Sequence, residues 1–412
     1  MIAKVLRTGL IVSALALAAA CSESTLDAAR KGGAETPVAA RLVSVMNTKG
    51  MPRNSPILAR VFKEENKVEI WKQKSNGRYD LLASYDICKM SGKLGPKYIE
   101  GDRQSPEGFY TVRPHQLNPK SQYHLAINIG YPNTYDRANG RTGSNLMVHG
   151  ACSSSGCFSM NDGQMTEIYA LARDSFRGGQ TEFQIQSFPF RMTAANMARY
   201  KDDPNYGFWS NLKEGYDHFE ITKTPPKVDV CEKRYVFNAA NAGSPLSPSG
   251  KCPEIAHPDS LKTAYQSYQS TYEAAFASAI GSPKAPPRKP SIGGLKEAAL
   301  VSDWTKKRAR GERVPIEPPS IGTDGTVVQT TGRMGRIDSP AGRRMAEQEA
   351  AAEAKRQAQQ KKDAEKAAAV AAAELAKKPP PAPAPVVTAA PQSEQPGVLS
   401  RIGKRFTGMF GG

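Results

Sequence analysis

The run Val148-His149-Gly150-Ala151-Cys152-Ser153-Ser154-Ser155-Gly156-Cys157-Phe158 sets an imidazole eight positions before a cysteine, with glycine beside each. A thiolate is a strong nucleophile, and an imidazole within reach can take its proton. Glycine before Cys157 lets the backbone turn sharply, so that the N–H groups of Gly156 and Cys157 can face a developing oxyanion. The same residues also fit a disulfide half beside a buried thiol. A zinc site needs four ligands in recognisable pairs, and no second Cys/His pair of such spacing exists, so no metal or cofactor is expected. Residue chemistry alone leaves two readings of Cys157, nucleophile or structural cysteine.

Working outward, Asn145 to Val148 reads as a short strand ending at His149. Earlier, Ile57 to Lys63, Lys67 to Trp71 and Tyr79 to Tyr85 read as strands, parted by the turns Glu64-Glu65-Asn66 and Ser75-Asn76-Gly77. Successive hairpins imply an antiparallel sheet rather than alternating β–α units. Gly101 to Tyr110 is a loop feeding another strand, and turn chemistry accounts for Asp102 and Glu107. Tyr123 to Ile129 is a further β segment. Its His124 reads as a core or cross-strand residue, while His115, His218 and His257 read as surface histidines. In the loop 130–144, Arg137 and Arg141 read as solvated charges, with carboxylate binding as the functional alternative. Downstream, Asp162 reads as the N-cap of a helix whose Met165, Ile168, Tyr169, Ala172 and Phe176 form a core-facing stripe up to Gly178. Phe183, Ile185 and Phe188 make a closing strand. Two stripes, Trp209 to Phe219 and Leu261 to Phe276, predict helices packed on the domain.

The 412 residues carry a net charge of +17, which favours anionic partners such as a membrane surface or an acidic wall polymer. No nucleic-acid-binding motif is present. The first residues read as an export signal, with basic Lys4 and Arg7, an apolar run from Leu10 to Ala20 too short to span a bilayer, and Leu17-Ala18-Ala19-Ala20-Cys21. That ending resembles a lipoprotein lipobox, which implies lipidation of Cys21 and, with Ser22 and Glu23 following, outer-membrane sorting on the periplasmic face. Simple cleavage after Ala20 is the alternative. Export permits disulfides. Cys88, Cys152, Cys157, Cys231 and Cys252 are odd in number; Cys231 with Cys252 and Cys88 with Cys152 are the expected pairs, leaving Cys157 free. Residues 22–54 read as a tether, 55–190 as the catalytic domain, 191–281 as a helical extension and 282–412 as a basic Pro/Ala/Lys-rich tail. Within the tail, Ala341 to Lys378 predicts a helical spacer on the order of 50 Å with no coiled-coil seam. The segment Val398 to Phe410 reads as a membrane-surface helix or a frayed end.

With His149-Gly150 and Ser155-Gly156-Cys157 in place, the chain resembles the L,D-transpeptidase catalytic domains of the YkuD type, in the murein transpeptidase-like YafK branch. Ser91 to Lys97, Gly101 to Tyr110, Gly130 to Asn133, Arg141 to Ser144, Phe188 to Met192 and Phe208 to Tyr216 carry the likeness. The resemblance implies a mainly β, antiparallel sandwich-like domain with peripheral helices. It implies Cys157 as nucleophile, His149 as general base and the backbone of Gly156 and Cys157 as oxyanion donors. The substrate it implies is peptidoglycan, attacked at a meso-diaminopimelate carbonyl. Where most of the family has a second His before the Gly-Cys pair, and Asn or Arg two positions beyond the Cys, this chain has Ser155 and Ser159. An amidase releasing peptidoglycan-linked lipoprotein and a non-catalytic wall-binding lipoprotein are the competing expectations.

Overall fold

A computed structural model of the chain describes residues 33–239, 246–253, 259–282, 284–315, 318–322, 325–328, 334–335 and 340–376. Cys21, the export signal, His257 and the segment 398–410 lie outside them. Among the described residues no helix is long and apolar enough to cross a membrane.

Two sheets form the body. The larger has the order β3-β2-β1-β9-β4, from Ile57–Phe62 (β1), Lys67–Gln73 (β2), Tyr79–Asp86 (β3), Gly108–Val112 (β4) and Phe183–Phe188 (β9). All neighbours are antiparallel except β1 with β9. β1 is buried along its whole length, as a central strand covered on both faces must be. Its Arg60 is 1% exposed, sits over Tyr216 and Phe219 at 4.4 and 4.6 Å and pairs with Glu220 at 2.6 Å. Stacking and an ion pair together make a buried guanidinium tolerable.

The smaller sheet has the order β5-β6-β7-β8, from Leu117–Asn118, Ala126–Asn128, Met147–His149 and Phe158–Ser159. Its β6–β7 pair is antiparallel and its β7–β8 pair parallel. Val148, Phe158 and Ile127 face a core shared with the larger sheet and with the helix Asp162–Arg177 (α3). Asn161, rather than Asp162, caps α3 by accepting from Gln164 N. The small helix Thr134–Ala138 (α2) lies between β6 and β7.

Two segments differ from their sequence expectation. In the expected tether, Ala40–Lys49 is a helix (α1) whose Leu42 and Met46 are 1% exposed in the main core. Val38, Leu42 and Met46 recur every four residues, one helical face, too sparse to stand out among polar neighbours. In the expected tail, residues 286–310 fold back on the domain, ending in the helix Leu295–Arg310 (α7). Ile292 is 2% exposed and Ala298 fully buried. Between lie Ala194–Arg199 (α4), Tyr206–Thr222 (α5), the hairpin Val228–Cys231 (β10) with Arg234–Phe237 (β11), and Asp259–Ala279 (α6). Separately, Pro340–Ala376 forms a 37-residue helix (α8).

Candidate active site

The register of β7 on β8 pairs Val148 with Phe158 and His149 with Ser159. Side chains alternate along a strand, so His149 and Ser159 share one face of the sheet while Val148 and Phe158 fill the core on the other. Cys157 stands in the bend just before β8 and packs partly against that core.

Two hydrogen bonds help shape the turn after His149. Gly150 N donates to Tyr123 O at 3.1 Å, and Ala151 N to Asp162 Oδ1 at 2.7 Å. A Cβ on Gly150 would lie 2.6 Å from that carboxylate oxygen and 3.0 Å from Tyr123 O, so only glycine fits. Ala151 and Cys152 both have positive φ, 62° and 44°, a conformation that costs L-residues on the order of 1–2 kcal/mol each. The Cys88–Cys152 disulfide, with Cα atoms 5.4 Å apart, pins this strained turn. A second disulfide joins Cys231 to Cys252 beyond β10, and Cys157 is a free thiol.

His149 is 3% exposed, and its Nδ1 lies 2.6 Å from Gly150 O. A carbonyl only accepts, so Nδ1 carries the proton and Nε2 keeps its lone pair. Ser159 Oγ donates to the same carbonyl at 3.2 Å and accepts from Ser153 N at 2.8 Å. Ser159, at the place where the wider family has Asn or Arg, thus fixes the carbonyl that fixes the imidazole. The exposed Tyr123 ring leans over His149 at 4.8 Å. Burial holds His149 below its ordinary value of 6.5, against the opposing pull of Gly150 O.

Cys157 is half-buried, and its Sγ faces Asn145 O at 3.9 Å. Burial pushes the thiol up from 9.0, while the Met147 N–H and the Lys97 ammonium pull it down. Both shifts favour the uncharged form of each group, burial being the larger cause in each. Gly156, with φ 127°, turns its N–H to Ser154 Oγ at 3.3 Å. Ser154 Oγ in turn donates to Cys157 O at 2.7 Å.

The loop 91–107 walls this site. Asp102 accepts from Lys97 Nζ at 2.6 Å and from the backbone N–H groups of Tyr98, Ile99 and Gln104. Glu107 is wholly buried, paired with Lys63 at 2.9 Å and accepting from Trp209 Nε1 at 2.7 Å. Asp102 is a turn carboxylate, but Glu107 anchors the loop to the core. Arg141 is buried against Asp136 at 2.9 Å and is no solvated charge, whereas Arg137 is exposed. His218 is 5% exposed on α5 rather than at the surface. His124 turns away to Thr166 Oγ1 at 2.7 Å.

A cavity of about 970 Å³ opens over the small sheet. Asn118, Asn128 and Met147 of the small sheet floor it, Arg113, His115 and Arg137 supply positive or titratable groups, and Val228 and Tyr235 of the hairpin close its far wall. His149 and Cys157 are not among its lining residues; Met147, two positions before His149 on β7, is.

Residues 59–181 match the model of the L,D-transpeptidase (YkuD) catalytic domain. The chain is 46% identical over 202 residues to the L,D-transpeptidase-type protein YafK of Escherichia coli strain K12, across 49% of this chain and 80% of that one. The same figures hold for YafK of E. coli O157:H7. The chain belongs to the L,D-transpeptidase family. Within that family it is similar to YafK, and the matched 202 residues extend past the catalytic-domain model. Solved structures with a detectable likeness are the helical cell shape determining protein Pgp2 of Campylobacter jejuni, 16% identical over 46% of this chain and 79% of that one, TM-score 0.27. Bd1075 of Bdellovibrio bacteriovorus is 18% identical over 44% and 80%, TM-score 0.25.

Proposed function

We propose that the chain is a cysteine acyltransferase acting on peptidoglycan stem peptides at the meso-diaminopimelate carbonyl. The observation that supports it best is a free thiol in the bend that leads into β8, the strand paired with β7, which ends at an imidazole whose Nδ1–H is bound by Gly150 O. His149 Nε2 takes the Cys157 proton as sulfur bonds to the carbonyl carbon. The Cys157 N–H and the nearby positive charge of Lys97 answer the developing oxyanion; Gly156 N–H, already turned to Ser154, contributes less. The C–N bond then breaks, the departing amine takes the proton from His149, and a thioester remains. An acceptor amine attacks the thioester and passes a proton to His149, which returns it to the leaving thiolate. Cross-linking by such an amine, rather than hydrolysis, is the reading we adopt from the family.

The cavity beside Met147 is of a size for a short peptide, and its basic rim suits stem carboxylates. Export of the chain with lipidation at Cys21, and placement at the periplasmic face of the envelope, complete the reading. The test is incubation of muropeptides with the wild type and with Cys157→Ala, followed by mass spectrometry. New cross-links in the first and none in the second are expected; equal product profiles would sink the proposal.

A further inference from the structure

Residues 286–310 were expected to be the start of a basic tail, yet their contacts lead to the nucleophile. Leu94 N donates to Pro290 O at 3.1 Å, and Ile292 N to Leu94 O at 2.8 Å, so this segment adds itself to the loop 91–95 as a short parallel strand. The Ile292 side chain fills the space over Gly95, and Asn205 Nδ2 holds Ile292 O at 3.0 Å. One turn on, Glu297 is 2% exposed; it pairs with Lys93 Nζ and accepts from Gly293 N at 2.7 Å. Ser302 Oγ, on α7, donates to Glu100 O at 2.8 Å.

The loop so held is in direct contact with the Cys157 backbone. Lys93 N donates to Gln104 Oε1 at 2.6 Å. The Gln104 carbonyl lies 3.4 Å from where a Gly156 Cβ would be, and Ser105 Oγ lies 3.4 Å from Cys157 O. Ser105 N and Oγ both reach Ser91 O, at 3.1 and 3.2 Å. The same loop carries Lys97, whose charge acts on the thiol. From Glu297 to the nucleophile the path is therefore short: Lys93, Gln104, Ser105, Cys157. Every joint in it is buried or half-buried, so a displacement at one end has little slack to disappear into.

We propose that residues 286–310 are a strap that positions the nucleophile, with Glu297 and Lys93 as its positioning residues. The strap touches neither substrate nor thiol. It acts by pressing the loop 91–105 against Gly156 and Cys157, and so sets where the sulfur stands relative to His149. A displacement of reacting groups by about 1 Å costs on the order of a hundredfold in rate, so a modest shift of this loop is enough to matter. Residues 286–310 therefore belong to the folded unit rather than to a tail.

This inference rests on Cys157 as the nucleophile, and its test is separable from that reading. In the full chain, Glu297→Gln and Lys93→Met remove the ion pair, and the exchange Lys93→Glu with Glu297→Lys restores it with reversed sense. Two quantities are read: the kcat and KM for muropeptide cross-linking, and the rate of Cys157 alkylation against pH, followed at the peptide level by mass spectrometry. The strap predicts a kcat lowered on the order of tenfold or more in each single variant. It also predicts KM within about twofold of wild type, a displaced alkylation profile and recovery of both readouts in the exchange variant. Wild-type kcat and alkylation in the single variants overturn it, as does a change confined to KM. Failure of the exchange to restore either readout overturns the role of the ion pair. If the wild type shows no cross-linking at all, the functional reading falls, while the alkylation profile still decides the strap.

Discussion

His149 Nδ1 stands 2.6 Å from the carbonyl of its own neighbour, Gly150, and that carbonyl is also bound by Ser159 Oγ at 3.2 Å. The imidazole is thus oriented by main chain, and among the described residues no carboxylate is hydrogen-bonded to it. A carboxylate would raise the imidazole's affinity for protons; a carbonyl orients with a weaker pull.

The acid limb of the pH–rate profile should therefore lie low. Burial holds His149 below 6.5. Activity requires the neutral base, so kcat/KM should hold steady as pH falls to 6.5 and decline only below it. His149→Ala should lower kcat on the order of a hundredfold to ten-thousandfold. Steady-state rates between pH 5 and 9 check both points in one series, as roughly the range over which a histidine base is read.

Cys157 should behave as a high-pKa thiol in the resting protein. Its protonated form is favoured by burial, above the ordinary 9.0. Alkylation by iodoacetamide should be slow at neutral pH and still rising through pH 9.0. A plateau already reached at neutral pH would mean a thiolate–imidazolium pair instead.

Ser159→Ala should impair catalysis without contact with substrate. It strips an acceptor from Ser153 N and the second of two donors from Gly150 O, which His149 Nδ1 still binds, each lost bond being worth about 0.5–1.5 kcal/mol. Loosening Gly150 O loosens the imidazole. Reduced kcat with little change in KM is expected, alongside a lower urea midpoint.

Glu107→Leu should destabilise the protein by about 3–5 kcal/mol, since it leaves the buried Lys63 ammonium without its carboxylate. Adding Lys63→Met should recover part of that loss, because removing both charges is cheaper than stranding one. Recovery will be incomplete, as Trp209 Nε1 and Gly95 N also lose their acceptor. Urea denaturation of the three variants measures the coupling.

Local pattern carried the strands on either side of Glu64-Glu65-Asn66 and the helix after Asn161, because each is set by residues a few positions apart. Ser159 was visible as a departure from the family pattern, but its task was not, since that depends on a turn folding Gly150 O towards it. Arg60, Glu107 and Arg141 are buried against charges up to 160 residues away, in the pairing of Arg60 with Glu220. Asp136 lies only five positions from Arg141, but the Glu220 and Lys63 partners of Arg60 and Glu107 lie outside any window of sequence. The strap was missed for the same reason: Lys93 and Glu297 are 204 positions apart, and the prolines around Pro290 read as linker although they suit an added edge strand.

Cys152 is five residues from the free Cys157, and its sulfur is already joined to Cys88 across a separation of 64 residues. That bond keeps Cys152 from closing a short loop with Cys157, which would occupy the thiol proposed as nucleophile. It also reverses the usual bench practice for thiol enzymes. Dithiothreitol, added to keep a reactive cysteine alive, would open a bridge worth about 4 kcal/mol by loop-closure entropy and slacken the turn that follows His149. The protein should be purified and assayed without reductant, with oxidants rather than air-oxidised disulfides excluded.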